Sequence, residues 1–267
     1  MRLNQLATLC LTILTGVAAM AHDTWVETNT SVIRQGDLVH VDLRLGNHGN
    51  EHRDFKLASK ITLAPCEIMV LPPSGTPFNL KPSLEDLGFA PKEGYWSGAY
   101  ITHEEGLHTV VHHLDTLHGT TRAVKSAKAF FVSSSKLDAV PAATVGFDKV
   151  YGNSLELVPL VNPVTAMAPG KPIEVQLVFE GKPLKETRVS FVPRGAELKE
   201  GFDETFERRT NAEGKASFTP KEGNLILIVA HHSVESKGEG YDKMHYSATL
   251  TIAVPQVPIP SVPPVSR

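Results

Sequence analysis

Prolines (19) and glycines (20) interrupt the 267-residue chain at short intervals, and no long segment between them repeats apolar residues at the 3.6-residue period of a helix. Strand patterns fill the gaps. Val39-His40-Val41-Asp42-Leu43-Arg44-Leu45 alternates apolar and polar residues, which predicts a half-buried strand with Val39, Val41, Leu43 and Leu45 inward. Short candidates at 61–63, 68–71, 100–101, 108–111 and 129–132 complete a first set, which ends near Ser133-Ser134-Ser135. A second set runs through 173–179, 187–192, 215–219, 225–231 and 247–254. Such spacing predicts an all-β chain of two consecutive antiparallel, immunoglobulin-like β-sandwich domains, 22–135 and 173–254. Residues 136–172, with few strand signals and several prolines, are expected to be the domain joint. The tail 255–267, with Pro at 255, 258, 260, 263 and 264, is expected to be extended or disordered.

The first 21 residues have a different character. Arg2 is followed by an apolar run from Leu6 to Val17, and Ala19-Met20-Ala21 fits the small-residue rule for signal-peptide cleavage. The run is too short to be a permanent membrane span, so the mature chain is expected in the periplasm or secreted, with no span of its own. Cleavage after Ala21 removes Cys10, leaves Cys66 as the only thiol and makes His22 the first residue. Without a disulfide, the exported fold must rest on core burial, which a chain of this length supplies. Lys and Arg total 26 against 29 Asp and Glu, which excludes a broad basic surface for nucleic acid.

Several segments carry a family resemblance. Ala21-His22-Asp23-Thr24-Trp25-Val26-Glu27, Lys128-Ala129-Phe130-Phe131-Val132, Leu155 to Pro163, Pro169-Gly170-Lys171-Pro172 and Tyr246 to Thr251 resemble, as a series, a secreted domain-of-unknown-function family labelled NikM-like. That label denotes the periplasmic component of a nickel/cobalt uptake system, so the resemblance implies a membrane metal transporter as partner. Gly181-Lys182-Pro183-Leu184, Val189-Ser190-Phe191 and Asn211-Ala212-Glu213-Gly214 make the second domain look like a transthyretin-like or carboxypeptidase-regulatory β-sandwich.

Histidine is the unusual residue, at 12 copies against 11 Phe and 5 Tyr. Imidazole is the commonest metal-binding side chain and suits Zn, Cu, Ni and Co. A first-residue His22 adds an α-amine that can chelate together with its ring. His48 and His52 flank a glycine-bearing loop after a strand, so their rings could converge. In an extended strand His108 and His112 lie about 13 Å apart, too far for one ion. His112 and His113 then point to opposite faces. The pairs His112-His113 and His231-His232 each directly follow an apolar strand, and sandwich loops gather at domain ends. The candidate metal ligands are therefore His22, His48, His52, His112, His113, His231 and His232, expected to meet near the domain joint. His40, His103, His118 and His245 are expected to be ordinary polar groups. A nitrogen-rich set without paired cysteines favours Ni, Co, Cu(II) or Zn over a cysteine-rich structural zinc knuckle, and the scattered methionines do not suit Cu(I) capture.

Enzyme signatures are missing: there is no G-x-S-x-G elbow, P-loop or H-E-x-x-H motif. The expected function is a non-enzymatic periplasmic protein that binds a divalent transition metal for uptake or homeostasis. Two alternatives stand beside it. One is a plain β-sandwich binding or adhesion module. The other is a copper monooxygenase using an N-terminal histidine, which 7% aromatic residues and only Trp25 and Trp96 argue against. The metal's identity and the oligomeric state stay open at the level of sequence.

Overall fold

The computed structural model describes residues 22–46, 56–90, 93–141 and 145–262. The signal segment 1–21, His48, His52 and the end of the tail lie outside them. Strands come in the order β1 (Asp23–Thr28), β2 (Val32–Arg34), β3 (Leu38–Gly46), β4 (Cys66–Leu71), β5 (Phe78–Asn79), β6 (Glu85–Asp86), β7 (Trp96–Ile101), β8 (Gly106–His118) and β9 (Thr121–Ser134). They continue as β10 (Val140–Pro141), β11 (Leu155–Pro159), β12 (Ile173–Phe179), β13 (Lys182–Pro183), β14 (Arg188–Pro193) and β15 (Glu207–Arg209). The last four are β16 (Lys215–Phe218), β17 (Asn224–Gly238), β18 (Tyr241–Val254) and β19 (Ser261–Val262). Among the described residues there is no α-helix, only a 3₁₀ turn at Lys81–Ser83. The chain is all-β, as its punctuation predicts.

Nine strands form one large sheet, ordered β15-β14-β17-β18-β9-β8-β4-β5, with β2 extending the edge of β9. The sheet crosses from the first half of the chain to the second where β18 pairs β9 in parallel, from Lys243 opposite Thr121 to Thr251 opposite Ala129. A four-stranded sheet, β1-β3-β7-β6, covers one face of it. Val26, Val39, Val41 and Leu43 from that layer pack with Ile68, Val110, Ala127, Ala129 and Phe131. A second small sheet, β11-β12-β13 with β16 on β12, covers the other face. There Leu155, Leu157, Val175 and Leu177 meet Val124, Phe130, Phe191, Ile228, Tyr246 and Leu250.

The two sequence halves thus form two sandwiches that share their large sheet. The segment 136–172 contains β11, buried at all five positions, and β12 pairs with it from Leu155–Phe179 to Pro159–Val175. The tail through Val262 is extended, with β19 parallel to β10 and the Val140 amide donating to the Pro260 carbonyl at 2.9 Å. Local chemistry closes the turns. Glu180 and Gly181 take φ of +48° and +75° between β12 and β13, the backbone that a tight hairpin turn demands. The Asn211 side-chain carbonyl accepts from the amides of Glu213 at 3.1 Å and Lys215 at 2.8 Å, an Asx-type loop.

β3 alternates as read, with Val39, Val41 and Leu43 fully buried. β1 does not, because both of its faces are covered. Its Val26 enters the core under the first small sheet, while Trp25 packs with Val192, Leu198, Leu227 and Val229 of the second half. This two-faced burial carries the start of the described chain across the middle of the large sheet.

Candidate functional site

β1 is fastened to the large sheet by polar contacts as well as by Trp25 and Val26. The Thr249 hydroxyl donates to the Thr24 carbonyl at 2.8 Å. One residue earlier, the Asp23 carboxylate is fully buried and lies 2.8 and 3.0 Å from His231 Nε2. Before that, the ammonium of Lys125 donates to the His22 carbonyl. Lys125 stands on β9 opposite Ser247 of β18, and Ser247 stands opposite His231 of β17. Residues 22 and 23 are therefore delivered onto the β9-β18-β17 ribbon.

The same face holds a further histidine. Ser233 pairs with His245 in register, so His245 is a diagonal neighbour of His231. The two rings lie 5.4 Å apart and 29° from parallel. His245 shares a hydrogen bond of 2.9 Å between Nδ1 and the Ser233 hydroxyl. Its Nε2 is buried without a hydrogen-bond partner, although only 4% of the residue is exposed. Burial pushes its pKa down to about 4, helped by the neighbouring His231 and opposed by Asp23. The ring is neutral at neutral pH, and the tautomer with the proton on Nδ1 leaves a lone pair on Nε2. Lys125 is likewise pushed down by burial, against the attraction of Asp23 and Cys66.

The carboxylate on His231 Nε2 is the arrangement that fixes a ring's orientation and tautomer and leaves Nδ1 as its donor atom. His231 and His245 thus offer imidazole nitrogens beside the buried Asp23 carboxylate, with the His22 carbonyl held nearby by Lys125. Among the described residues no group of three or more His, Cys, Asp or Glu side chains is gathered tightly enough to hold a metal ion. A ligand would have to draw these groups together.

The other candidates from the sequence go elsewhere. His112 is in the core, with Nδ1 on the Glu67 carbonyl at 2.9 Å and Nε2 on the Thr24 hydroxyl at 3.1 Å. Both ring nitrogens are used, so it ties β8 to β4 and β1. His113 takes the opposite face of β8, and its Nδ1 meets the Asn153 side-chain carbonyl at 3.0 Å. His232 takes the opposite face of β17, between Phe179 at 4.6 Å and Tyr246 at 6.4 Å. His48 and His52 fall outside the described residues. Of the seven, the described structure places His231 on the Asp23 carboxylate, next in the chain to His22, whose carbonyl Lys125 holds.

His245, expected to be an ordinary polar group, joins them instead. The signal for it was in the chain: the turn at Gly238 to Tyr241 closes β17 on β18 and puts residues 231 and 245 at like positions on one face. A groove of about 800 Å³, lined in part by Arg194, Phe206, Arg208, Phe218 and Lys221, lies away from this cluster. The Arg208 guanidinium there donates to the Glu204 and Glu207 carbonyls.

Comparison with solved structures finds distant β proteins. A DUF4785 family protein from Legionella pneumophila is 14% identical with a TM-score of 0.31, over 77% of this chain and 52% of that one, so the chain spans about half its length. The Yersinia pseudotuberculosis adhesin InvE is 14% identical over 86% of this chain and 58% of its own, with a TM-score of 0.23. Fibronectin(III)-like modules of Clostridium thermocellum CbhA are 8% identical over 85% and 93%, also at 0.23. At these scores none bears on what the chain does. A comparison with curated proteins found no match. A family profile does match, over residues 19–234, so the chain belongs to the family DUF4198, a domain of unknown function.

Proposed function

We propose that this is an exported protein that binds one divalent transition-metal ion at its mature N-terminus, serving metal uptake or homeostasis in the periplasm. The observation that carries the proposal is the meeting of Asp23, next in the chain to His22, with His231, beside the partnerless Nε2 of His245 on one face of the large sheet. Cleavage after Ala21 would add the α-amine of residue 22, and an amine with two or three imidazoles is a donor set for Ni, Co, Cu(II) or Zn. The resemblance to the NikM-like family favours nickel or cobalt and a membrane transporter as the receiver.

Calorimetry with nickel(II) tests this. Protein beginning at His22 is expected to bind one ion, and protein keeping Ala21 should bind more weakly because its amine is an amide. His231→Ala and His245→Ala should each weaken binding about 10- to 100-fold or more, as changes at or around a metal commonly do. His113→Ala and His232→Ala should leave it unchanged. Absence of binding by every form, also with cobalt, copper and zinc, overturns the proposal.

A further inference from the structure

Lys125 is the least expected residue in this region. On the face of β9 that looks toward β1 it stands in a row with Ala123, Ala127, Ala129 and Phe131, and only 4% of it is exposed. A buried ammonium persists only where partners replace its water. Its ammonium donates a hydrogen bond to the carbonyl of His22. The groups that face it are Asp23 from β1, Cys66 from β4, His112 from β8 and His245 from β18. An alternating strand with alanines on this face had room for an apolar residue there. The position instead holds a long cation that reaches the first residue of the mature chain.

We infer that Lys125 is the positioning residue of this site: its buried ammonium holds the His22 carbonyl and so fixes residue 22 ahead of Asp23, which His231 holds. This rests on the metal site proposed above, but the seating itself needs no metal. Asp23 is held by pairing with Gly46 of β3 and by His231. His22 lies before the first strand, and its carbonyl accepts the Lys125 hydrogen bond. That carbonyl is also the group an aminopeptidase must attack to release residue 22. The ammonium should therefore protect the mature terminus in metal-free protein.

The test is timed aminopeptidase trimming of metal-free mature protein, read by mass spectrometry. Loss of His22 should be slow in the unaltered protein and in Lys125→Arg, and about tenfold or more faster in Lys125→Met, the worth of one charge-assisted hydrogen bond in an opening equilibrium. Equal rates in all three overturn the inference. Should Lys125→Met fail to fold, nitrogen-15 NMR of the unaltered protein decides. An ammonium signal in slow exchange with contacts to His22 supports the seating, and an ammonium in free exchange overturns it. Nickel(II) titration then joins the two proposals. Lys125→Met should lose about 10- to 100-fold in affinity and Lys125→Arg should recover most of it, whereas equal or tighter binding by Lys125→Met overturns the positioning role. If no form binds nickel, the metal proposal falls and the trimming rates still decide what Lys125 does.

Discussion

His112 and His245 are both buried neutral imidazoles on the same face of the large sheet, yet their chemistry differs. His112 spends both ring nitrogens on Glu67 and Thr24, whereas His245 keeps one without a partner. Burial pushes His112 down to about 3 from its ordinary 6.5. The unfolded chain therefore takes up a proton at that residue before the folded protein does. Its contribution to stability is present above about pH 6.5 and is lost as pH falls toward 3, at up to about 1.4 kcal/mol per pH unit. His112→Gln, which can keep both hydrogen bonds, should flatten the fall of unfolding free energy between pH 6.5 and 4 by close to one proton. Urea titrations at several pH values measure this, and an unchanged slope would mean that His112 does not carry the acid lability. The sequence spoke to these residues unevenly. Alternation correctly sent His112 and His113 to opposite faces, but both histidine pairs, expected just past a strand, lie within β8 and β17. Which face carries the candidate site depends on β1 crossing the sheet, a contact more than 200 residues from His231 that no local pattern encodes.

Strand patterns were readable where one face meets water, as in β3, and faded where both faces are covered. β9 is the clearest case. Ala127 and Phe131 belong to one core and Val124 and Phe130 to the other, so no alternation survives. Its two lysines, Lys125 and Lys128, are both buried. Lys128 is 2.5 Å from Glu156, with side chains 2% and 0% exposed. Glu156 also accepts the amides of Tyr151 at 3.1 Å and Asn153 at 2.7 Å. Together they fasten the approach to β11 onto β9, which explains why the expected joint is an integral part of the second sandwich. Glu156→Gln alone should destabilise the protein by about 3–5 kcal/mol, because it leaves the Lys128 charge buried without its counter-charge. Adding Lys128→Met should recover most of that loss, since the glutamine carbonyl still accepts the two amides. Denaturant midpoints of the two single variants and the double variant measure the coupling. Strict additivity would mean that the pair does not fasten the two elements.

At the scale of the molecule, the shared sheet decides how the chain comes apart. The nine β9–β18 pairs from Thr121–Lys243 to Ala129–Thr251 make each sandwich the edge protection of the other. The core of the second half also takes Leu107, Val124, Phe130 and Val132 from the first, while Trp25 from β1 fills a pocket between Leu227 and Val229. Neither half buries its own surface alone. Although the sequence reads as two consecutive domains, each with its own strands and turns, residues 22–262 should unfold in one cooperative transition with equal calorimetric and van't Hoff enthalpies. A fragment of residues 145–262 should lack a monomeric folded state, because removing β9 exposes β18 as a long apolar edge open to pairing with another copy. Scanning calorimetry of the whole chain and light scattering of the fragment test this together. Two resolved transitions with a monomeric, folded fragment would show that the shared sheet joins two independent domains, and the site on β17 and β18 would then survive loss of the first half without its His22.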